Sequence, residues 1–357
     1  MAIAAFVFPN LRISNIQTEF CGIFVRKTAN VKIYEKLCAK ISEAIKCLKN
    51  SGKWATFTDI NSKYMMNIKS IVLAIALAAV ATFNSACATA QATAPAAKKE
   101  IGLQLYSLRA DVKKDLKGTL QKAAGMGYTS IEAAGYGNGK FYGMDPAEFK
   151  KLVESTGMKA ISSHQNRALT KEELASKDFS KALAWWDQAI DAHQKAGMKY
   201  MVMPYLKRPE TLKDMQTYCE YFNEVGKRAA AKGIAFGYHN HKHEFEKIEN
   251  KISMMDYMLQ HTDPKYVFIE LDVYWSVRGE TAPVDLFKKY PKRFRLLHIK
   301  DEKELGQSGM VGFDAIFNNL KIAGTEHFFV EVERYNYTPC ESVKMSFDYL
   351  NKADFVK

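Results

Sequence analysis

Residues 294–334 read FRLLHIKDEKELGQSGMVGFDAIFNNLKIAGTEHFFVEVER, and their reading decides the fold. FRLLHIKD (294–301) and HFFVEVER (327–334) are short apolar runs of strand type. Between them FDAIFNNLKIAG (313–324) has helical spacing and closes on Gly324, as helix C-termini often do. The two runs carry no Asn-Gly hairpin turn and are separated by a helix, so the strands run parallel.

The same unit repeats back to Glu100. Strand-type runs occur at EIGLQLYSL (100–108), TSIEAAG (129–135), KAISSHQ (159–165), YMVMPYL (200–206), GIAFGYHNH (233–241) and YVFIELDVYW (266–275). Helical segments such as LKGTLQKAAGMG, PAEFKKLVESTG and KALAWWDQAIDAHQKAG lie between them. Eight strand–helix units match the usual size, roughly 250 residues, of a (β/α)8 TIM barrel. The fold class is therefore α/β, with a single barrel domain at 100–357. A doubly wound open sheet would carry a Gly-rich phosphate loop after a strand. GxGxxG is absent, and Gly135-Tyr136-Gly137-Asn138-Gly139 has the wrong spacing.

Ahead of the barrel the composition changes. Residues 65–92 combine a short positive flank at Lys69, an apolar run from Ser70 to Phe83 and small residues around Ala88-Thr89-Ala90. That is the layout of a secretory signal peptide, and the run is short for a membrane span. The expectation is export, to the periplasm, with no stable span in the mature protein. Cys87 gives only a loose match to a lipoprotein processing site. Residues 1–64 carry no usable motif and are read as an extension upstream of the true start at Met65 or Met66; 93–99 reads as a tether. Of the formal net charge of +12, +7 comes from residues 1–90, so the charge gives no reason to invoke nucleic acid. Beyond that region only Cys219 and Cys340 remain, too few for a disulfide framework or a CxxC metal site.

Active sites of this fold sit at the C-terminal ends of the strands. Alternation puts His239 and His241 on one face of their run, Glu270, Asp272 and Tyr274 on one face of theirs, His298 and Lys300 together, and Glu331 and Glu333 together. Gln104 and Tyr106 share a face, and His164 lies near the end of its strand. Four consecutive strands thus end in His, Asp, His and Glu. Buried groups of this kind need partners, and one divalent cation satisfies them all. Mixed N/O ligation by His239, His241, Asp272, His298 and Glu331 suits Mn, Zn, Co or Fe. The choice between His239 and His241 stays open. His243 is read as a solvent-facing bystander, and His193, His261 and His327 as structural.

GLQLYSLR, YHNHKHEF, ELDVYW, LLHIKD and FFVEVE together resemble the xylose-isomerase-like TIM barrels, which include sugar phosphate isomerases/epimerases, inosose dehydratases, ketose 3-epimerases and apurinic endonuclease relatives. The resemblance spans 100–357. It implies a metal held by Glu, Asp, His and Glu on the last four strands, and carries Asp272, His298 and Glu331 onto three of those roles. Where the family has its first Glu, this chain has His239, with His241 close behind. That Glu also serves the epimerases as one of two acid/base groups.

The expected function is a metal-dependent sugar isomerase or epimerase working through an enediolate. Candidate catalytic residues are Glu333 and His239 as bases and Lys300 as oxyanion partner. Gln104, Tyr106, Arg109 and His164 are candidate hydroxyl binders, and Trp275 a stacking surface. The alternatives are a keto-sugar lyase or dehydratase, including cleavage of 3-keto-glycosides, and a non-catalytic sugar-binding barrel. An exported enzyme rarely meets sugar phosphates, so a free carbohydrate is the expected substrate.

Overall fold

The computed structural model describes residues 99–357. The readings of a signal peptide, start-site extension and most of the tether lie outside the described residues.

Eight parallel strands make up the central sheet: β1 (Gly102–Gln104), β2 (Ser130–Ala133), β3 (Lys159–Ser163), β4 (Tyr200–Met203), β5 (Ala235–His239), β6 (Val267–Asp272), β7 (Leu296–Lys300) and β8 (His327–Glu331). Every expected run contains one, though each strand is shorter than its run. Seven neighbouring pairs share parallel ladders, including β8 with β1. The eighth, β3 with β4, meets through a single bridge between His164 and Val202. The result is a nearly closed barrel. Two antiparallel hairpins lie outside it, Tyr136–Gly137 with Lys140–Phe141 and Lys247–Ile248 with Ile252–Ser253. The glycine cluster at 135–139 forms the first of these.

The helices follow local signals. α1 (Leu116–Met126) opens on Asp115, which accepts from Gly118 N, and closes on Gly127 at φ 114°. α2 (Pro146–Glu154) has Asp145 as its cap and proline in the first turn. α3 (Ser180–Ala196) and α4 (Leu212–Ala231) are the longest. α5 (Met254–His261), α6 (Pro283–Lys289), α7 (Phe313–Asn318) and α8 (Pro339–Lys352) complete the outer ring, α8 starting with a Thr338/Glu341 capping box.

Two cores result from the alternation. The outward side chains of the strands, among them Leu103, Ile131, Met201, Phe236, Ile269, Leu297 and Val330, pack under the helices, where Trp186 is also buried. Inside the barrel Tyr200, Val202, Phe268, Leu296 and Phe329 form a smaller cluster. The glycines of β1 and β5 make room for it. A Cβ at Gly102 would lie 2.5 Å from the Phe329 ring, and one at Gly237 2.5 Å from the Phe268 ring. This apolar plug is the floor on which the polar groups at the C-terminal ends stand. Cys219 is buried and Cys340 half-buried; both are free thiols. Among the described residues no helix is long and apolar enough to cross a membrane.

Candidate metal centre

Directly above the plug, the inward side chains turn polar. The register aligns Gln104 with Glu132, His239 with Glu270, and Asp272 with His298. Lys300 aligns with Glu331. These groups form two tiers.

In the lower tier Glu132 Oε2 accepts from Gln104 Nε2 at 2.7 Å and lies 2.7 Å from His298 Nε2 and 3.1 Å from His164 Nε2. Glu270 Oε2 lies 2.7 Å from His164 Nε2. It also lies 3.3 Å from His239 Nδ1, where the approach is not aligned for a hydrogen bond. In the upper tier Lys300 Nζ donates to Glu331 at 3.0 Å and lies 2.5 Å from Glu333 Oε2. His298 Nδ1 is 3.3 Å from Glu331 Oε2. Asp272 Oδ1 caps the helix Val273–Arg278 by accepting from Trp275 N at 2.9 Å. Its other oxygen has no partner.

Buried polar atoms without partners concentrate at this end. Of nine among the described residues, six belong to Glu132, His239, His241, Glu270, Asp272 and Trp275. Buried polar groups are usually satisfied, so the cluster asks for a ligand. One atom each from His239, Asp272, His298 and Glu331 lies within 4.8 Å of the others, and the same holds for His164, His239, Glu270 and His298. Four buried carboxylates, Glu132, Glu270, Asp272 and Glu331, surround Lys300 and the imidazoles of His164 and His298, which those carboxylates, against burial, draw toward the charged form. A divalent cation can take the place of the imidazole protons, and the two-nitrogen, two-oxygen upper group is a donor set that transition metals accept.

The titration behaviour fits the crowding. Burial pushes the Asp272 carboxyl up to about 8, against the pull of Lys300. Burial and the Glu132 charge push Glu270 up to about 7. Glu132 is held low: burial opposes, but His164 and His298 outweigh it. Burial would lower His164, yet Glu132 and Glu270 raise it to about 9. Burial, reinforced by His298 and His164, keeps His239 well below the usual imidazole range, in the neutral form that a metal ligand requires.

The structure brings Asp272, His298, Glu331 and His239 together, with Lys300 and Glu333 beside them. His241 falls outside both ligand groups. β5 ends at His239, and Asn240 is pulled inward to accept from Asp272 N at 3.0 Å, so alternation stops before His241. His241 instead lies between Tyr205 and Trp275. Tyr274 does not share the face of Asp272: the cap turns the chain into a helix, and Tyr274 joins the outer core. Trp275, on the same helix rather than a strand, has Lys300 Nζ 5.9 Å from its ring. Gln104 is fully buried and its amide is engaged at both ends, by Glu132 and Tyr106 N. Tyr106 sits in the turn after β1 on the exposed rim, with the Arg109 guanidinium 4.7 Å from its ring. Arg109 also donates to Tyr335 OH at 2.7 Å and to the Glu333 carbonyl at 3.2 Å. His243 is part-buried and bonds the Leu206 carbonyl. His193 is buried between Ser163 Oγ and the Ala189 carbonyl, each 2.7 Å away. Sequence reasoning missed Glu132 and gave Glu270, though it was placed on the face of Asp272, no role in the site. For Glu270 that shared face was the signal; Glu132 offered none within its own strand.

Residues 120–353 match the family described as xylose isomerase-like TIM barrel. Two solved structures described as sugar phosphate isomerase/epimerase from Parabacteroides distasonis ATCC 8503 are similar throughout the barrel. One is 36% identical with a TM-score of 0.69, covering 74% of this chain and 98% of that one. The other is 38% identical with a TM-score of 0.68, covering 72% and 100%. Among curated proteins, inosose dehydratase of Salmonella agona strain SL483 is 24% identical over 196 residues, 52% of this chain. The match spans 62% of that relative's length.

Proposed function

Since the chain belongs to the xylose isomerase-like TIM barrel family, we propose that it is a metal-dependent enzyme that isomerises or epimerises a carbohydrate by removing a proton next to a carbonyl. The observation that carries this is the set of buried donors on four successive strands, two of which, His239 and Asp272, keep an atom without a partner. His239, Asp272, His298 and Glu331 would hold the cation. When bound, a divalent cation supplies Lewis-acid polarisation of a sugar carbonyl and its neighbouring hydroxyl.

The chain's own groups do the rest. Glu333 is the base: its carboxylate is partly exposed at the mouth and Lys300 holds it in place. Lys300, itself almost wholly buried, donates to the oxygen on which enediolate charge develops. Trp275, Tyr106 and Arg109 bound the mouth through which a sugar enters, with Trp275 offering an apolar face. Export, as read from residues 65–92, favours unphosphorylated sugars.

A second reading has its own support. His239 replaces a carboxylate that would act as the second acid/base group, leaving Glu333 as the single exposed carboxylate beside Lys300. One base suffices when the enediolate expels a leaving group, so a keto-sugar lyase or dehydratase is the runner-up. A non-catalytic sugar-binding barrel is the reading left if no turnover is found.

Metal content of the full-length chain, measured by mass spectrometry beside Asp272→Ala/His298→Ala, tests the centre. Near one transition metal per chain, lost in the double variant, supports it. The metal-loaded protein then goes to a screen of keto-sugars for deuterium uptake from heavy water. No metal after reconstitution overturns the reading.

A further inference from the structure

We infer that Glu132 is a positioning residue: it fixes the tautomer and aim of His298, so that Nδ1 of that imidazole faces the cation. The inference rests on the metal centre proposed above.

The two nitrogens of His298 have different surroundings. Nε2 lies 2.7 Å from Glu132 Oε2 and 3.3 Å from Glu270 Oε2, and Nδ1 lies toward the upper tier, hydrogen-bonded to Glu331 Oε2 at 3.3 Å. A neutral imidazole carries one N–H, and an ionised carboxylate can only accept. With Glu331 engaged by the cation, the shorter contact to Glu132 keeps the proton on Nε2 and leaves the Nδ1 lone pair for the cation. Partners of this kind set ring orientation and basicity in histidine–metal sites.

Three facts separate this role from ligation or substrate contact. Glu132 belongs to neither ligand group. It comes from β2, which supplies none of those donors: across the barrel from the strands of His239 and Asp272, and separated from that of Glu331 by β1. It is fully buried in the lower tier, out of reach of a sugar at the mouth. The carboxylate is itself held in place. Gln104, its register partner, donates to it at 2.7 Å while its own Oε1 is fixed by Tyr106 N at 3.0 Å. Both residues sit on strands, so the aim is rigid. The chain from Gln104 through Glu132 to His298 joins strands that are far apart in sequence; 166 residues separate the last two.

The test is Mn²⁺ affinity of the full-length protein, read by paramagnetic resonance of the free ion, for wild type, Glu132→Gln, His298→Ala and the double variant. Glu132→Gln is expected to weaken Mn²⁺ binding about 10- to 100-fold. In the His298→Ala background the same change is expected to cost nothing further. Equal losses in both backgrounds, or no loss in either, would overturn the inference and leave Glu132 a packing residue. Imidazole ¹⁵N spectra of the wild type loaded with diamagnetic Zn²⁺, assigned against His298→Asn, give a readout independent of any variant of Glu132. A proton on Nε2 of His298 is expected, and a proton on Nδ1 overturns the inference. If Glu132→Gln fails to fold, Gln104→Met loosens the carboxylate instead. A severalfold loss of affinity is then expected, and none would count against it. Absence of Mn²⁺ and Zn²⁺ binding by the wild type sinks the metal reading and this inference with it; binding with the proton on Nδ1 sinks the inference alone.

Discussion

At the N-terminal end of the barrel Arg295 donates to Glu326 at 2.6 Å, its guanidinium lies 5.2 Å from the Tyr200 ring and 5.5 Å from that of Phe268, and Tyr200 donates to Glu326. Arg295 and Glu326 thus each have the opposite charge against them, and the guanidinium has two rings besides. At the C-terminal end, about five residues along the same strands, Asp272, Glu270 and His239 are more deeply buried and each keeps an atom without a partner. Both ends use carboxylates, a cation and aromatic rings. The first is finished by the protein alone; the second keeps unpartnered atoms that the proposed cation would satisfy. That difference separates a structural network from a site more sharply than residue type does, since buried polar groups are rarely left unpaired and a cluster of them asks for a ligand.

Four measurements would break or sharpen the contrast. The largest expected effect is on the reaction. Glu333→Gln should slow proton exchange about 10²- to 10⁴-fold, as loss of a general base does, with metal content unchanged. Loss of the metal along with the rate would move Glu333 into the ligand set.

Next comes a buried histidine that is finished by the protein. Burial holds His193 down at about 4, with Ser163 and Ala189 satisfying both nitrogens. Its pKa is depressed in the folded state, so the unfolded chain binds the proton first as pH falls. The stability it contributes is therefore present above about 6.5 and is lost as pH falls through that window toward about 4. The upper limit is about 3 kcal/mol. Urea unfolding of the wild type and His193→Gln across this range should show a shallower slope in the variant. Equal slopes would assign it elsewhere.

A smaller effect, of opposite sign to intuition, belongs to the upper tier. Asn caps a helix as well as Asp, so Asp272→Asn keeps the bond to Trp275 N and removes the cost of burying an ionisable carboxyl, which burial pushes up to about 8. After chelation of metals, this variant should be more stable than wild type by about 1–2 kcal/mol. A loss of stability would mean that Asp272 is paired by the protein after all. The smallest effect is at the other end. Arg295 and Glu326 are both about a third or more exposed, so a double-mutant cycle on them should give a coupling below about 1 kcal/mol and no change in metal content.

The barrel was legible because parallel strands covered on both faces become short apolar runs, and all eight appear where such runs were read. Asp272, His298 and Glu331 were legible because each lies inside its strand, where period-two alternation holds. The errors fall just past strand ends. Tyr274 and His241 were assigned a face by extending an alternation that Asp272 and Asn240 had already stopped, one by capping a helix and the other by bonding across to β6. Glu132 was invisible for another reason. Its meaning depends on a partner in β7, and no periodicity within β2 reports what stands across a closed ring.

The ring has a consequence for the order in which the molecule comes into being. The four donors of the upper group come from β5, β6, β7 and β8, while the carboxylate beneath His298 comes from β2. No fragment ending before Glu331 contains the set, and none beginning after Glu132 contains the group that aims it. A cation held tightly at this place is therefore a witness: it certifies that the earliest and latest parts of the barrel have already met.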